Sequence, residues 1–339
     1  MVKGAHSHGE RILVVGAGSW GTALANVFAE AGSRVTLWGR DRDVLAAIAQ
    51  HRENPKYLKG VKLSSELDTH AELDQVIERA DIVICSIPTQ HIRGLFSFHA
   101  AAINGKPIVN TSKGIEMGTR ARVSQIFAEL TPRSPYAVLS GPSFAEEVAR
   151  RLPTAVTIAA TDKTVAARVQ RLCSTSYFRG YTSQDVLGVE LCGALKNVIA
   201  IASGIVNGLK LGYNAQAAII NRGIAEIARA GMRQGALATT FLGLAGMGDL
   251  VLTCTGPLSR NRRVGLLLGE GKTLAEAQRQ LEGVAEGVFT SQAAFQLARE
   301  WGIEMPILNE IYRILYEDGT PQDALNALMR RDLKEEWDL

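Results

Sequence analysis

The stretch RILVVGAGSWGTALANVFAEAGSRVTLWGR, residues 11–40, decides the fold of the first half of the chain. Its opening RILVV is a short β-branched run, and the glycines that follow at 16, 18 and 21 keep GxGxxG spacing. A helical stretch then runs from Trp20 to Ala31, and RVTLW reads as a second strand. Strand, glycine turn, helix and strand in this order are the context in which GxGxxG points to a dinucleotide. Gly16 permits the tight turn, Gly18 lets backbone approach a pyrophosphate, and Gly21 allows helix and strand to pack closely. The helix N-terminus favours phosphate charge.

Beyond residue 40 the alternation continues. DIVICSIP, PIVNTSKG, YAVLSGP and PTAVTIAA are apolar strand candidates separated by helical stretches, which predicts a parallel sheet with crossover helices. After Tyr181 the strand signal stops and helical patterns take over. The expected organisation is therefore a disordered lead over 1–10, a Rossmann-type α/β domain over 11–181, and an all-helical substrate domain over 182–339. Ligands of such a sheet lie outside the carboxyl ends of its strands. At the end of the second strand, LWGRDR offers Arg40 before Asp41. An arginine there suits a 2′-phosphate and an acid suits ribose hydroxyls, so the reading favours NADPH over NADH without excluding either.

Bulk properties exclude several classes. The chain has 339 residues, 46% of them hydrophobic, enough for two packed domains. Its net charge of +3 is interspersed, with basic clusters only at Arg150-Arg151, Arg260 to Arg263 and Arg330-Arg331, too little for a nucleic-acid stripe. Cys85, Cys173, Cys192 and Cys254 lie far apart in apolar surroundings and read as reduced thiols. No apolar run near the start resembles a signal peptide, His6 and His8 lie in the polar lead, and none of the other four histidines sits in ligand spacing with a second one; the expectation is a cytoplasmic protein without metal.

The second half raises one question. The run VLGVELCGALKNVIAIASGIVNGL, residues 186–209, is apolar on every side of its helix, yet it carries Glu190, Lys196 and Asn197. Those polar residues argue against a membrane span, so the helix should be a buried core element. Lysine is almost never fully buried without a partner. Gly193, Ala200 and Ser203 at helical spacing leave space beside Lys196, as a polar ligand would need; an ion pair with Glu190 or with a distant carboxylate is the structural alternative. Lys113, in TSKGIE, follows a strand's carboxyl end, so two lysines from different domains are expected to converge. Neighbouring ammonium groups and desolvation both lower a lysine's proton affinity toward use as an acid or base near neutral pH. Asp249 sits in the glycine-rich GLAGMGDLVLT, expected as a loop, where it could orient a lysine or simply form a turn. Downstream, Ser259 reads as an N-cap, and Arg260 and Asn261 at the helix start face an anion.

These residues resemble the NAD(P)-dependent glycerol-3-phosphate dehydrogenases of the bacterial type. The resemblance is carried by GAGSWGTALA, NPKYLKG, TSKGIE, LSGPSFAEEVA, GVELCGALKNVIAIASGI, GLAGMGDLVLTCTGPLSRNRR and VAEGVFTS, spread over nearly the whole chain. It implies reversible hydride transfer between NAD(P)H and dihydroxyacetone phosphate to give sn-glycerol 3-phosphate for phospholipid synthesis, in a homodimer with a second domain like that of 6-phosphogluconate dehydrogenase. It implies that Lys196 exchanges the proton and that Lys113 contacts both cofactor and substrate. Gly141, Ser143, Asp249, Ser259, Arg260 and Asn261 would surround the substrate. Ser19, Trp20, Arg40, Ala145, Arg260, Val284 and Glu286 would hold the dinucleotide. The competing expectations are a hydroxy-acid or sugar-acid dehydrogenase of the same architecture and a non-catalytic NADPH-binding module.

Overall fold

A computed structural model of the chain describes residues 9–281, 283–333 and 335–336. Contacts divide it into two units, residues 1–112 with 123–186 and residues 113–122 with 187–339. The expected disorder of 1–8, with His6 and His8, lies outside the described residues. Glu10, which the sequence reading placed in the disordered lead, instead accepts hydrogen bonds from the Arg168 guanidinium, the shortest at 2.8 Å.

The first unit is built on an eight-stranded sheet. Its strands are β1 (Arg11–Val15), β2 (Arg34–Trp38), β3 (Leu67–His70), β4 (Ile82–Cys85), β5 (Ile108–Asn110), β6 (Tyr136–Ser140), β7 (Thr154–Ala159) and β8 (Phe178–Ser183). The order is β3-β2-β1-β4-β5-β6-β7-β8. Every neighbouring pair runs parallel except β6 and β7. The chain between those two holds only the short Ala145–Ala149 helix, and an antiparallel return needs no full crossover. Two strands, LDTH and FRGYTS, had no apolar run to announce them. Both lie at sheet edges, where one row of side chains faces solvent and polar residues are tolerated. The central β1 and β4 are buried almost throughout, as a sheet covered on both faces requires.

The helical unit is organised around Val186–Gly208, whose residues from Gly188 to Val206 are all buried. By length and hydropathy this helix could cross a membrane, but the apolar window is wholly buried inside the protein. Gly212–Arg233, Asp249–Thr255, Arg260–Gly269, Glu286–Glu300, Pro306–Tyr316 and Pro321–Met329 follow it. The closest packing is between Val186–Gly208 and Arg260–Gly269. A Cβ on Gly204 would lie 2.0 Å from the Arg262 carbonyl oxygen, and one on Gly265 would lie 1.9 Å from that of Ile201. Gly208 and Gly269, one turn further along each helix, are equally constrained, at 2.4 Å and 2.6 Å from the Leu266 and Ile205 oxygens. Backbone meets backbone along this seam, so no side chain can be accommodated without parting the helices.

Glu226 shows how the unit satisfies a buried helix end. Its carboxylate accepts from the backbone N–H of Ile307 at 2.8 Å and of Leu308 at 3.4 Å, capping Pro306–Tyr316. Burial pushes this carboxyl up to about 7, against the opposing effect of those hydrogen bonds and of Arg229 and Arg331.

Two outcomes follow from this packing. Gly265→Ala should cost about 1–3 kcal/mol through overpacking and lower the thermal midpoint by several degrees, and an unchanged midpoint would refute the seam. For Glu226, the folded protein holds a proton between the ordinary carboxyl value of 4.5 and about 7 that the unfolded chain has released, so its contribution makes stability fall as pH rises through that window. Glu226→Gln should flatten this fall in thermal melts recorded from pH 5 to 8, and a parallel pair of curves would count against it.

Candidate active site

In the first unit the glycine turn has the form that a pyrophosphate requires. Gly16 adopts φ +125°, and a Cβ on it would lie 2.3 Å from the Ser86 carbonyl oxygen. A Cβ on Gly21 would lie 1.8 Å from the Gly16 oxygen, so helix and strand touch through the missing side chains. Gly18 differs: nothing lies within 4 Å of its Cβ position, which leaves the turn open above the N-terminus of Ser19–Glu30. This cradle fits a dinucleotide phosphate pair, with Ser19, Trp20 and Gly21 presenting backbone N–H groups that the helix itself does not use.

Two neighbouring segments are tied to the same turn. Gly39, after β2, brings backbone so near that its Cβ would meet that of Ala17 at 2.6 Å. Asn54 is fully buried and donates to the Ala17 oxygen at 3.1 Å and to Thr22 Oγ1 at 2.8 Å. Arg40 is exposed at the end of this strand. After β6, Gly141 adopts φ +150° against Val156, and Ser143 donates to the Gly141 oxygen at 3.0 Å. Ala145 begins the short helix that follows.

The helical unit holds the polar cluster. Lys196, 5% exposed, donates to Asp249 Oδ1 at 2.5 Å and to Thr253 Oγ1 at 2.6 Å. Lys113 donates to the other oxygen, Oδ2, at 2.6 Å. Thr253 in turn donates to the Asp249 carbonyl at 2.6 Å, which fixes its hydroxyl lone pairs toward the lysine. Burial pushes the Lys196 amine down to about 8; Asp249 opposes that fall and Lys113 adds to it. Burial alone would raise the Asp249 carboxyl, but the two ammonium groups and their hydrogen bonds outweigh it and hold the group below its ordinary value.

Two expectations are corrected here and one alternative is decided. Asp249 is not in a loop: a π-helical turn over Leu244–Gly248 leads directly into Asp249–Thr255. The glycines serve packing, since a Cβ on Gly246 would lie 2.3 Å from the Phe241 oxygen. Of the two carboxylates offered to Lys196, the partner is a distant one, Asp249, and not Glu190, which accepts from Arg122 at 2.7 Å. Nor do Lys113 and Lys196 come from different units. The 113–122 segment belongs with the helical unit, where Ile115 joins the core, Arg122 pairs with Glu190 and Arg120 pairs with Glu300 at 3.1 Å.

Around the start of Arg260–Gly269, Ser259 is the N-cap and accepts from the Arg262 N–H at 3.2 Å. The Asn261 side chain is partly committed, donating to Asn197 Oδ1 at 2.9 Å and accepting from the Gly287 N–H at 2.9 Å. What Asn261 has to offer an anion is its backbone N–H and the second hydrogen of its amide. Arg260 is exposed and passes so close to Gly283 that a Cβ there would lie 2.5 Å from its Nη1. Val284 is 38% exposed, and Glu286 begins the next helix. Sequence reading missed Thr253, although its four-residue spacing from Asp249 was a usable signal, and it missed the Arg122–Glu190 clamp, which carries none.

The chain is similar to known proteins over nearly its whole length. Family profiles described as NAD-dependent glycerol-3-phosphate dehydrogenase N-terminus and C-terminus match residues 11–166 and 185–326. The chain is 49% identical over 331 residues to the glycerol-3-phosphate dehydrogenase [NAD(P)+] of Geobacter sp. strain M21, covering 96% of this chain and 99% of that one. It is 48% identical to the protein of the same name from Geobacter sulfurreducens, covering 97% and 99%. The crystal structure of glycerol-3-phosphate dehydrogenase from Coxiella burnetii superimposes with a TM-score of 0.91 at 39% identity, covering 95% of this chain and 99% of that one.

Asp249→Asn should lower the Lys196 amine further below about 8, because the carboxylate that supports its charge is lost while burial and Lys113 remain. Titration of the lysine Nζ by nitrogen NMR measures this, and a value that stays or rises would refute the cluster.

Proposed function

From the premise that this chain belongs to the NAD-dependent glycerol-3-phosphate dehydrogenase family, we propose how its own residues divide the work of the reaction. The chain is an NAD(P)-dependent oxidoreductase interconverting dihydroxyacetone phosphate and sn-glycerol 3-phosphate. The observation that carries the division is the Asp249 carboxylate shared between Lys196 and Lys113.

The first unit holds the coenzyme: Gly16, Gly18 and Gly21 admit the pyrophosphate to the N–H groups of Ser19 and Trp20, and Arg40 faces the adenosine ribose. Ala145, Val284 and Glu286 complete the coenzyme's contacts on family resemblance. Bound NAD(P)H supplies the hydride. Proton chemistry falls to the helical unit. In the reducing direction Lys196, as an ammonium, protonates the carbonyl oxygen as it becomes an alkoxide; in the oxidising direction its neutral amine takes that proton back. Lys113 stabilises the developing negative charge electrostatically. Asp249 holds both amines in register and keeps Lys196 from losing its proton too early, since burial beside another ammonium would otherwise drive its affinity lower still. Arg260, with the capped helix start at Ser259 and the Asn261 N–H, takes the substrate phosphate. Gly141 and Ser143 border the substrate on family resemblance.

Coenzyme choice favours NADPH, because Asp41, the acid that could bind ribose hydroxyls, is already engaged by the Val44 N–H at 3.2 Å and by Lys56 at 2.8 Å. We extend the reading, on family resemblance alone, to a cytoplasmic homodimer that supplies glycerophospholipid synthesis.

Lys196→Ala should reduce turnover of dihydroxyacetone phosphate by roughly 10²–10⁴-fold while coenzyme affinity stays within about twofold. In the wild type, reduction should decline and oxidation should rise as pH passes about 8, because the first needs the ammonium and the second the free amine. Absorbance assays with NADH and NADPH in parallel measure both, and full turnover in the alanine variant would end the assignment.

A further inference from the structure

The rim of the coenzyme turn carries a charge arrangement that the reaction itself does not require. Asp41 stands just beyond β2, in the region where an acid selects the ribose hydroxyls of NAD and repels the additional phosphate of NADP. Here both of its oxygens have partners. Oδ1 caps the Arg42–His51 helix by accepting from Val44, and Oδ2 accepts from the Lys56 ammonium at 2.8 Å. Lys56 also lies 5.3 Å from the centre of the Tyr57 ring, a cation–π distance that restrains the side chain.

The position of Lys56 is set by the coenzyme turn. Asn54, two residues earlier, is hydrogen-bonded to the Ala17 oxygen between the first two glycines, and its own Oδ1 accepts from the Tyr57 N–H at 3.0 Å. Gly39 presses the end of β2 against Ala17 from the other side. The segment bearing Lys56 and the strand end bearing Arg40 and Asp41 are thus fastened to one residue of the glycine turn. The neighbouring Arg42 guanidinium is engaged elsewhere, in an ion pair with Glu72. What remains at the rim is Arg40, exposed, and the Asp41–Lys56 pair. With Lys56 in place the three groups sum to one positive charge; without it Arg40 and Asp41 cancel.

We propose that Lys56 is a coenzyme-specificity residue, acting through Asp41: its ammonium neutralises the carboxylate that would otherwise repel a 2′-phosphate, so that Arg40 is left to attract one. This deepens the functional reading above and rests on it for the coenzyme's place on the glycine turn. A ribose without the phosphate is neutral and is not repelled by the carboxylate; an Asp41 oxygen freed from Lys56 would instead accept from its hydroxyls. The loss of Lys56 therefore weakens NADPH and leaves NADH unchanged or strengthened.

The test is Lys56→Gln, with dissociation constants for NADPH and NADH measured by coenzyme fluorescence and kcat/KM measured with dihydroxyacetone phosphate. The NADPH-to-NADH preference should fall about tenfold or more, the size expected of one uncompensated charge near a surface phosphate, with NADPH weakened and NADH unchanged or strengthened. Adding Asp41→Asn to Lys56→Gln removes the exposed carboxylate while keeping an N-cap, and should restore the preference. An unchanged preference, an equal loss for both coenzymes, or a double variant no better than the single one would each overturn the proposal. A wild type that binds both coenzymes yet does not reduce dihydroxyacetone phosphate would overturn the functional reading instead, and the binding constants would still decide the role of Lys56.

Discussion

One carboxylate between two ammonium groups is the constraint on which the helical unit's chemistry depends. Asp249 is 2% exposed, and a charge that deep is tolerated only where partners meet it with good geometry. Each of its oxygens receives a lysine, at 2.5 and 2.6 Å, and Thr253 closes the set. The cluster carries one net positive charge in a place where burial works against any charge. Burial is the main origin of the depressed Lys196 affinity; Asp249 opposes it and Lys113 adds to it. Replacing the trio by a neutral pair would relieve the strain and remove the acid.

The cluster belongs to a single unit, and this has a consequence for how it is held. Lys113 follows β5 in the chain, but the segment from 113 to 122, closed on itself by a bridge between Ile115 and Arg122, is fastened to the helical unit by the Arg122–Glu190 pair, by Arg120–Glu300 and by Ile115 in the core. Both amines thus share one rigid frame with the carboxylate. Their spacing is preset before any ligand arrives, which is the condition under which electrostatic stabilisation is effective.

Much of this was legible in the sequence. GxGxxG after RILVV fixed the dinucleotide end, because its requirements are local: a turn, an open backbone and a close helix. Lys196 stood out because a lysine in an all-round apolar helix has no inexpensive explanation. Other features were hidden for physical reasons. β3 and β8 are edge strands with polar residues, so no hydrophobic run marks them. The glycines before Asp249 read as loop, since a π-helical turn tight enough to need glycine leaves the same composition as a flexible one. The Arg122 partner of Glu190 and the Asn197 partner of Asn261 are far away in sequence, and only the fold brings them together.

The glycine seam links these observations. Gly204 and Gly208 on one helix and Gly265 and Gly269 on the other set the distance between Val186–Gly208, which carries Lys196, and Arg260–Gly269, whose N-terminus carries Ser259, Arg260 and Asn261. The side-chain amides of Asn197 and Asn261 then lock the register, and the Gly287 N–H fixes the second oxygen. In the functional assignment proposed above, the proton donor and the helix end that receives the phosphate are thereby held apart by backbone contact, which cannot adjust as side chains do.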